Sequence, residues 1–258
     1  MKYVDLFVEH DDLVSDKWEQ YFYEYQELFK KYLDKNKPLN ILEIGVQNGG
    51  SLQIWKKFLP AGSKIYGVDV NANCKNLNFG EDIQVYIGNA STKEFWADNL
   101  QDVTFDVILD DGSHLCKEVI DTFETIFTTK LNIGGTYIIE DLQTSYWKDY
   151  QGGFRTKNSS MEYFKNLTDS LNINYLEFPR FFDKKQAQQL KELNKQIKRI
   201  SFYDAMCSIE KYNVELKRPF ERLLTGKYPN IYVAPDFNEL KVENNMDKIE
   251  EVRKHCEI

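Results

Sequence analysis

Two apolar stretches of this chain each run into a pair of acids. Phe105 to His114 reads F-D-V-I-L-D-D-G-S-H, and Gly134 to Asp141 reads G-G-T-Y-I-I-E-D. Short apolar runs of this composition read as buried strands. Strands that end this way bring Asp110, Asp111, His114, Glu140 and Asp141 to one edge of a sheet. Carboxylates gathered at one spot repel each other unless a cation sits among them. His114 is one of three histidines in the chain, and the one placed beside these acids. The residue types therefore predict a metal site with a base next to it. All-oxygen donors favour magnesium, manganese or calcium over zinc. An imidazole with an ordinary pKa of ~6.5 suits proton removal near neutral pH. A cation beside a hydroxyl would help to ionise it, as it lowers the pKa of bound water from ~15.7 to about 7.

The elements that must position these residues alternate. Residues 16–34 predict an amphipathic helix capped by Asp16, with Glu19 three residues on. Its aromatics Trp18, Tyr21, Phe22, Tyr25, Phe29 and Tyr32 recur at helical spacing and read as core. Strands are expected at 39–46, 64–70, 83–87, 105–109 and 136–139. Helices are expected at 51–58, from a Ser91 cap through Trp96, and at 115–129. The alternation calls for an α/β fold, a Rossmann-like doubly wound and mostly parallel sheet with helices on both faces. A hairpin at 200–203 and 206–212, turning at Asp204-Ala205, would complete seven strands with an antiparallel end. Further helices are expected at 160–171, 184–199, 218–224 and 247–255, and a strand at 231–233. The expected organisation is one domain over 1–258. It divides into a helical cap (1–38), a cofactor and metal core (39–153) and an acceptor-site insertion (154–199). The final hairpin (200–213) and an extension (214–258) follow.

The first strand leads into I-L-E-I-G-V-Q-N-G-G-S-L. Gly45, Gly49 and Gly50 permit a sharp turn and a close backbone approach, at the strand end where open α/β sheets bind ligands. Gly45 and Gly49 are four apart, which departs from G-x-G-x-x-G and weakens a dinucleotide reading. Glu43 directs a carboxylate at the crevice, which is poor for a pyrophosphate and good for a cation. The second strand ends in Asp69, placed to accept ribose hydroxyls. The third ends I-G-N-A-S, with Asn89 placed to reach an adenine amino group. Ribose plus a cationic group without phosphate describes S-adenosylmethionine.

On Glu43, Gly45, Gly49, Asp69 and Asn89, the chain resembles the class I S-adenosylmethionine-dependent methyltransferases. D-D-G-S-H at 110–114, E-D-L-Q-T-S-Y-W at 140–147 and S-F-Y-D-A-M-C-S-I-E-K at 201–211 sharpen this. They resemble the metal-dependent sugar O-methyltransferases of macrolide (mycinamicin) and bacterial capsule gene clusters. The resemblance covers roughly residues 14–213. It implies a divalent metal, usually Mg2+, on Asp111, Glu140 and Asp141, with His114 as general base and Asp111 sharing in catalysis. It implies a cofactor site of Glu43, Gly45, Gly49, Ser51, Asp69, Asn89 and Asp110, and an acceptor pocket shaped by Tyr146 and Trp147. The acceptor would be a sugar or nucleotide-activated sugar, such as a GDP-heptose in capsule biosynthesis, or a sugar on a finished aglycone. A metal-dependent catechol or phenol O-methyltransferase is the nearest alternative. A nicotinamide-dependent oxidoreductase and a non-catalytic scaffold are more distant ones.

Composition narrows the partners. The net charge is −8, and no basic face suggests nucleic acid. The apolar runs are shorter than the ~20 residues that span a bilayer, and acids interrupt the N-terminal apolar stretch, so neither a membrane nor a signal peptide is expected. Cys74, Cys116, Cys207 and Cys256 lack C-x-x-C spacing and read as reduced thiols of a cytoplasmic protein. A homo-oligomer is compatible with all of this.

Overall fold

The computed structural model describes residues 2–176, 184–212, 222–228, 231 and 239–256. Its centre is a seven-stranded sheet built from β1 (Asn40–Ile44), β2 (Lys64–Asp69), β3 (Ile83–Ile87), β4 (Phe105–Asp110), β5 (Leu131–Ile139), β6 (Ile197–Tyr203) and β7 (Met206–Lys211). The strand order is β3-β2-β1-β4-β5-β7-β6. The first five run parallel, β7 lies antiparallel to β5, and β6 pairs antiparallel with β7. The expected parallel core and closing hairpin are both present. The chain leaves β1 on one side towards β2 and returns to β4 on the other. That reversal opens a crevice beyond the carboxyl ends of β1 and β4, where α/β sheets bind ligands.

Helices cover both faces. On one, α1 (Tyr3–Val8), α2 (Tyr21–Leu33) and α3 (Gly50–Phe58) enclose a core containing Tyr3, Tyr25, Phe29, Trp55, Phe58, Ile41 and Val107. Its aromatic rings meet at short centroid distances, such as 4.9 Å between Phe29 and Trp55 and 4.6 Å between Tyr3 and Trp55. On the other face lie α4 (Lys93–Asn99), α5 (Cys116–Ile126), α6 (Ser160–Asn166) and α7 (Thr168–Leu171). They bring Trp96, Phe123 and Phe164 against Ile108, Tyr137 and Ile209. The polar helix α8 (Lys184–Gln196) feeds directly into β6, and α9 (Met246–Cys256) lies near the C-terminus.

Several boundaries depart from the sequence expectation. The helix expected from Asp16 begins at Tyr21, and its N-cap residue Gln20 makes no side-chain cap. Residues 11–18 stay non-helical because their polar groups bond to the neighbouring sheet edge and α3. The Val14 carbonyl accepts the Gly50 N–H at 3.1 Å, and the Leu13 N–H donates to Gln53 Oε1 at 3.1 Å. Trp18 is consequently exposed rather than core. The short α1 carries no clear signal in the sequence, since six residues give little room for periodicity. Ser91 does not cap α4. Its N–H and hydroxyl both donate to Asn89 Oδ1, and Thr92 takes the N-cap position. The α8 helix stops at Gln196, so 197–199 belong to β6. Most of the expected helix at 218–224 and strand at 231–233 lies outside the described residues. Among the described residues, no helix is long and apolar enough to cross a membrane. Cys74, Cys116 and Cys207 are buried and free.

Candidate active site

The carboxyl ends of β1, β4 and β5 meet because the register fixes them there. Ile44 pairs with Asp110, and Asp110 pairs with Ile139. The next backbone groups continue the ladder, with the Asp111 N–H on the Ile44 carbonyl at 2.9 Å and the Glu140 N–H on the Asp110 carbonyl at 3.0 Å. Gly45 makes this convergence geometrically feasible. Its φ is +97°, and a Cβ there would stand 2.0 Å from the Asp111 carbonyl oxygen. A side chain is excluded on both counts. The close approach here is to the neighbouring strand end, and Gly45 also lines the cavity beyond it.

A cavity of about 540 Å³ opens over this edge, and its lining includes Lys17, Glu43, Gly45, Asp69, Asp111 and His114. Asp111, His114 and Asp141 each offer a ligand atom, and these atoms lie within 4.8 Å of one another. His114 Nε2 stands 3.5 Å from Asp141 Oδ2 and 3.9 Å from Asp111 Oδ1. The two carboxylates are close enough to share one small divalent ion, whose bonds to oxygen run about 2.0–2.6 Å, and the imidazole stands beside them. His114 and Asp141 hold φ of +57° and +54°, a region that residues other than glycine seldom occupy and that clusters at functional sites.

Three residues here were not read from the sequence. Lys17 reaches the carboxylates from the non-helical segment. Its Nζ stands 2.5 Å from Asp111 Oδ2, 2.9 Å from Glu140 Oε2 and 3.3 Å from Glu43 Oε1. Burial alone would push its ammonium down, but Glu140, Tyr25, Asp111 and Glu43 together hold its pKa well above the usual lysine range. Tyr25 OH donates to Glu140 Oε1 at 2.5 Å, so both Glu140 oxygens are engaged. Tyr21 OH donates to Asp141 Oδ1 at 2.9 Å and accepts the Asp141 N–H at 3.0 Å. No local pattern marks Lys17. Tyr21 and Tyr25 were visible only as core positions one helical turn apart.

Burial governs the pKa values of these acids. Burial raises Glu140 to about 8 against the opposing pull of Lys17. Burial also raises Glu43, again opposed by Lys17. Asp110 is pushed up to about 7 by burial, although it accepts the Tyr137 hydroxyl at 2.8 Å. That bond turns Asp110 towards Tyr137.

The expected cofactor residues divide between two adjoining cavities. Glu43 is fully buried and accepts the Ser51 hydroxyl at 2.9 Å. Asp69 Oδ2 accepts the N–H groups of Val46 and Gln47 at 2.9 and 3.0 Å, which ties the glycine loop to the end of β2. Asn89 and Asp110 line a second cavity of about 240 Å³, which shares Gly45, Asp69 and Gly112 with the first. Gly49 stands at the N-cap of α3. Tyr146 and Trp147 are half-exposed and do not line the main cavity. Trp147 adjoins Tyr150 at 5.9 Å between centroids, and Tyr150 adjoins His114 at 6.3 Å.

The strand order, the crevice at its reversal and the loop after β1 define the Rossmann-like methyltransferase fold. The MycE methyltransferase of mycinamycin biosynthesis, solved with Mg, SAH and mycinamycin VI, superposes with a TM-score of 0.67 at 24% identity, over 83% of this chain and 56% of that one. A second crystal form of MycE gives 0.70 over 93% and 58%. In sequence, the chain is similar to sugar O-methyltransferases. The 8-demethyl-8-alpha-L-rhamnosyl tetracenomycin-C 2'-O-methyltransferase of Streptomyces olivaceus is 32% identical over 176 residues, 64% of this chain and 44% of its own length. The mycinamicin VI 2''-O-methyltransferase of Micromonospora griseorubida is 32% identical over 169 residues, 60% and 40% respectively. The chain thus spans less than half the length of these curated relatives. No protein-family model matches it.

Proposed function

We propose that this chain transfers the methyl group of S-adenosylmethionine to a sugar hydroxyl, assisted by a divalent cation. The observation that carries this is the meeting of Asp111, His114 and Asp141 at a cavity whose other wall holds Glu43, Gly45 and Asp69. The sugar O-methyltransferases named above support the acceptor class.

On this reading, Asp69 receives the ribose hydroxyls on its remaining lone pairs. Asn89 and Asp110 face the adenine in the smaller cavity, and Glu43, oriented by Ser51, meets the cationic amino acid end. Asp111 and Asp141 would hold the cation, normally Mg2+, and Glu140 joins them when released from Lys17. When bound, the cation supplies positive charge that favours the ionised form of an adjacent hydroxyl. His114 is the general base. Its Nε2 takes the acceptor proton as the oxygen forms a bond to the methyl carbon and the carbon–sulfur bond breaks towards sulfur. The oxygen-rich remainder of the set leaves the imidazole free for that proton. Holding donor and acceptor in line contributes on the order of 7 kcal/mol or more. Tyr146 and Trp147, on the exposed side of His114, contact the acceptor. We assign the reaction to the cytoplasm, consistent with free Cys74, Cys116 and Cys207.

The test is a methyl-transfer assay with Mg2+ against three panels: nucleotide sugars including a GDP-heptose, glycosylated macrolides and tetracenomycins, and simple phenols. Turnover on either sugar panel, abolished by EDTA and restored by Mg2+, is expected. Turnover on phenols alone would replace the sugar reading, and full activity in EDTA would remove the cation.

A further inference from the structure

We propose that Lys17 is a positioning residue that competes with the divalent cation for the oxygens of Asp111 and Glu140. The cation would gain its full ligand set only as the segment carrying Lys17 withdraws. This rests on the metal reading above and adds to it the residue that governs access.

The geometry divides the Asp111 carboxylate between two cation positions. Oδ2 is held by Lys17 on the buried side, while Oδ1 faces His114 on the open side. Glu140, the acid adjoining Asp141, gives Oε2 to Lys17 and Oε1 to Tyr25. The Lys17 side chain is only 3% exposed, so its ammonium has left water for these oxygens. An ammonium and a divalent ion on one carboxylate repel strongly where little water screens them. A buried charge that loses its partners must return to solvent. Binding of the ion therefore drives Lys17 outward.

The segment is built to allow it. Val14 and Trp18 are exposed, at 64% and 53%, so little apolar surface anchors residues 11–18. Apart from the Lys17 ion pairs that the cation would contest and a His10 Nε2 contact to the Leu13 carbonyl at 2.7 Å, its ties are single hydrogen bonds: Gly50 N–H to the Val14 carbonyl, Leu13 N–H to Gln53, and Gln53 Nε2 to Asp12 at 2.9 Å. Once those ion pairs are displaced, few buried contacts and few bonds are left, which marks a segment that opens at low cost. Gly50 is fitted to the docked form, since a Cβ there would lie 2.1 Å from the Leu13 carbonyl oxygen.

The experiment titrates Mn2+ into the full chain by electron paramagnetic resonance, comparing the native protein with Lys17→Met and, separately, Gly50→Ala. Gly50→Ala lifts the segment without removing its charge, and it stands in if Lys17→Met does not fold. Both variants are expected to bind Mn2+ more tightly, by about tenfold or more, the ratio that ~1.4 kcal/mol represents. In the native protein, Mn2+ is expected to speed hydrogen exchange at the Gly50 amide and across 13–18. Equal or weaker binding by both variants overturns the competition. Tighter binding without faster exchange in the native protein overturns the withdrawal and reduces Lys17 to a fixed charge. If neither the native chain nor either variant binds Mn2+, the metal reading itself fails.

Discussion

At the scale of single residues, the site depends on which partner each polar atom already has. His114 Nε2 makes no short hydrogen bond to Asp111 or Asp141, standing 3.5 Å or more from both. An imidazole held near acids but not spent on them can receive a proton. His114→Ala is expected to keep S-adenosylmethionine affinity by calorimetry while kcat falls about 10²–10⁴-fold. An unchanged kcat would remove it as the base. Tyr21 carries a different load: its hydroxyl bonds both the backbone and the carboxylate of Asp141 and so fixes a residue with a positive φ. Groups that orient metal ligands typically change affinity 10–100-fold when lost. Tyr21→Phe is expected to weaken Mn2+ binding within about that range, and unaltered binding would show that Asp141 is held by its own turn. The sequence exposed the acids and His114 because they end apolar runs. It concealed Lys17 because one lysine before an aromatic helix looks like any solvated lysine. Only the fold reveals that it touches an oxygen of Asp111, 94 positions away.

At the scale of elements, legibility followed pattern length. The five parallel strands and the closing hairpin were readable because apolar runs of strand length sit between turn residues. Their register was not readable, and register is what brings Asp111 beside Gly45. The start of α2 departs from its local signal because Asp16 and Glu19 satisfy a capping pattern, while the carboxylates of the sheet edge claim Lys17. Tertiary charge pairing outweighed a cap of ~1 kcal/mol. Gly45 is the element-scale junction between β1 and β4. Gly45→Ala must move the Asp111 carbonyl or splay the two strand ends, besides placing alanine at φ +97°. Stability is expected to fall by at least about 1–3 kcal/mol in urea denaturation, with Mn2+ affinity lost as Asp111 shifts. The core is the contrasting control. Trp55→Ala removes a fully buried ring packed on Tyr3, Tyr25 and Phe29. It should cost ~3–5 kcal/mol while leaving the site residues in place in whatever fraction stays folded.

At the scale of the whole molecule, the ligand sites tie together parts of the chain that are far apart in sequence. The main cavity is lined by residues 14–18, the β1 loop, the end of β2 and the ends of β4 and β5. The smaller cavity extends this to β3 through Asn89. A ligand lying across both must therefore stabilise the fold as a unit, because it binds only when these segments are assembled. At a hundredfold excess over its dissociation constant, such a ligand adds about 2.7 kcal/mol to the unfolding free energy. A chain of this size gains about 2–4 °C in Tm per kcal/mol. S-adenosylhomocysteine at that concentration is thus expected to raise Tm by about 5–11 °C in a thermal scan. Asp69→Ala should abolish the shift, because it removes both the proposed ribose acceptor and the anchor of the Val46 and Gln47 amides. Trp147→Ala should retain it, since Trp147 is half-exposed and stands outside the cavity lining. A shift that survives Asp69→Ala would place the nucleoside elsewhere. One that vanishes with Trp147→Ala would merge the acceptor and cofactor surfaces that the proposed function separates.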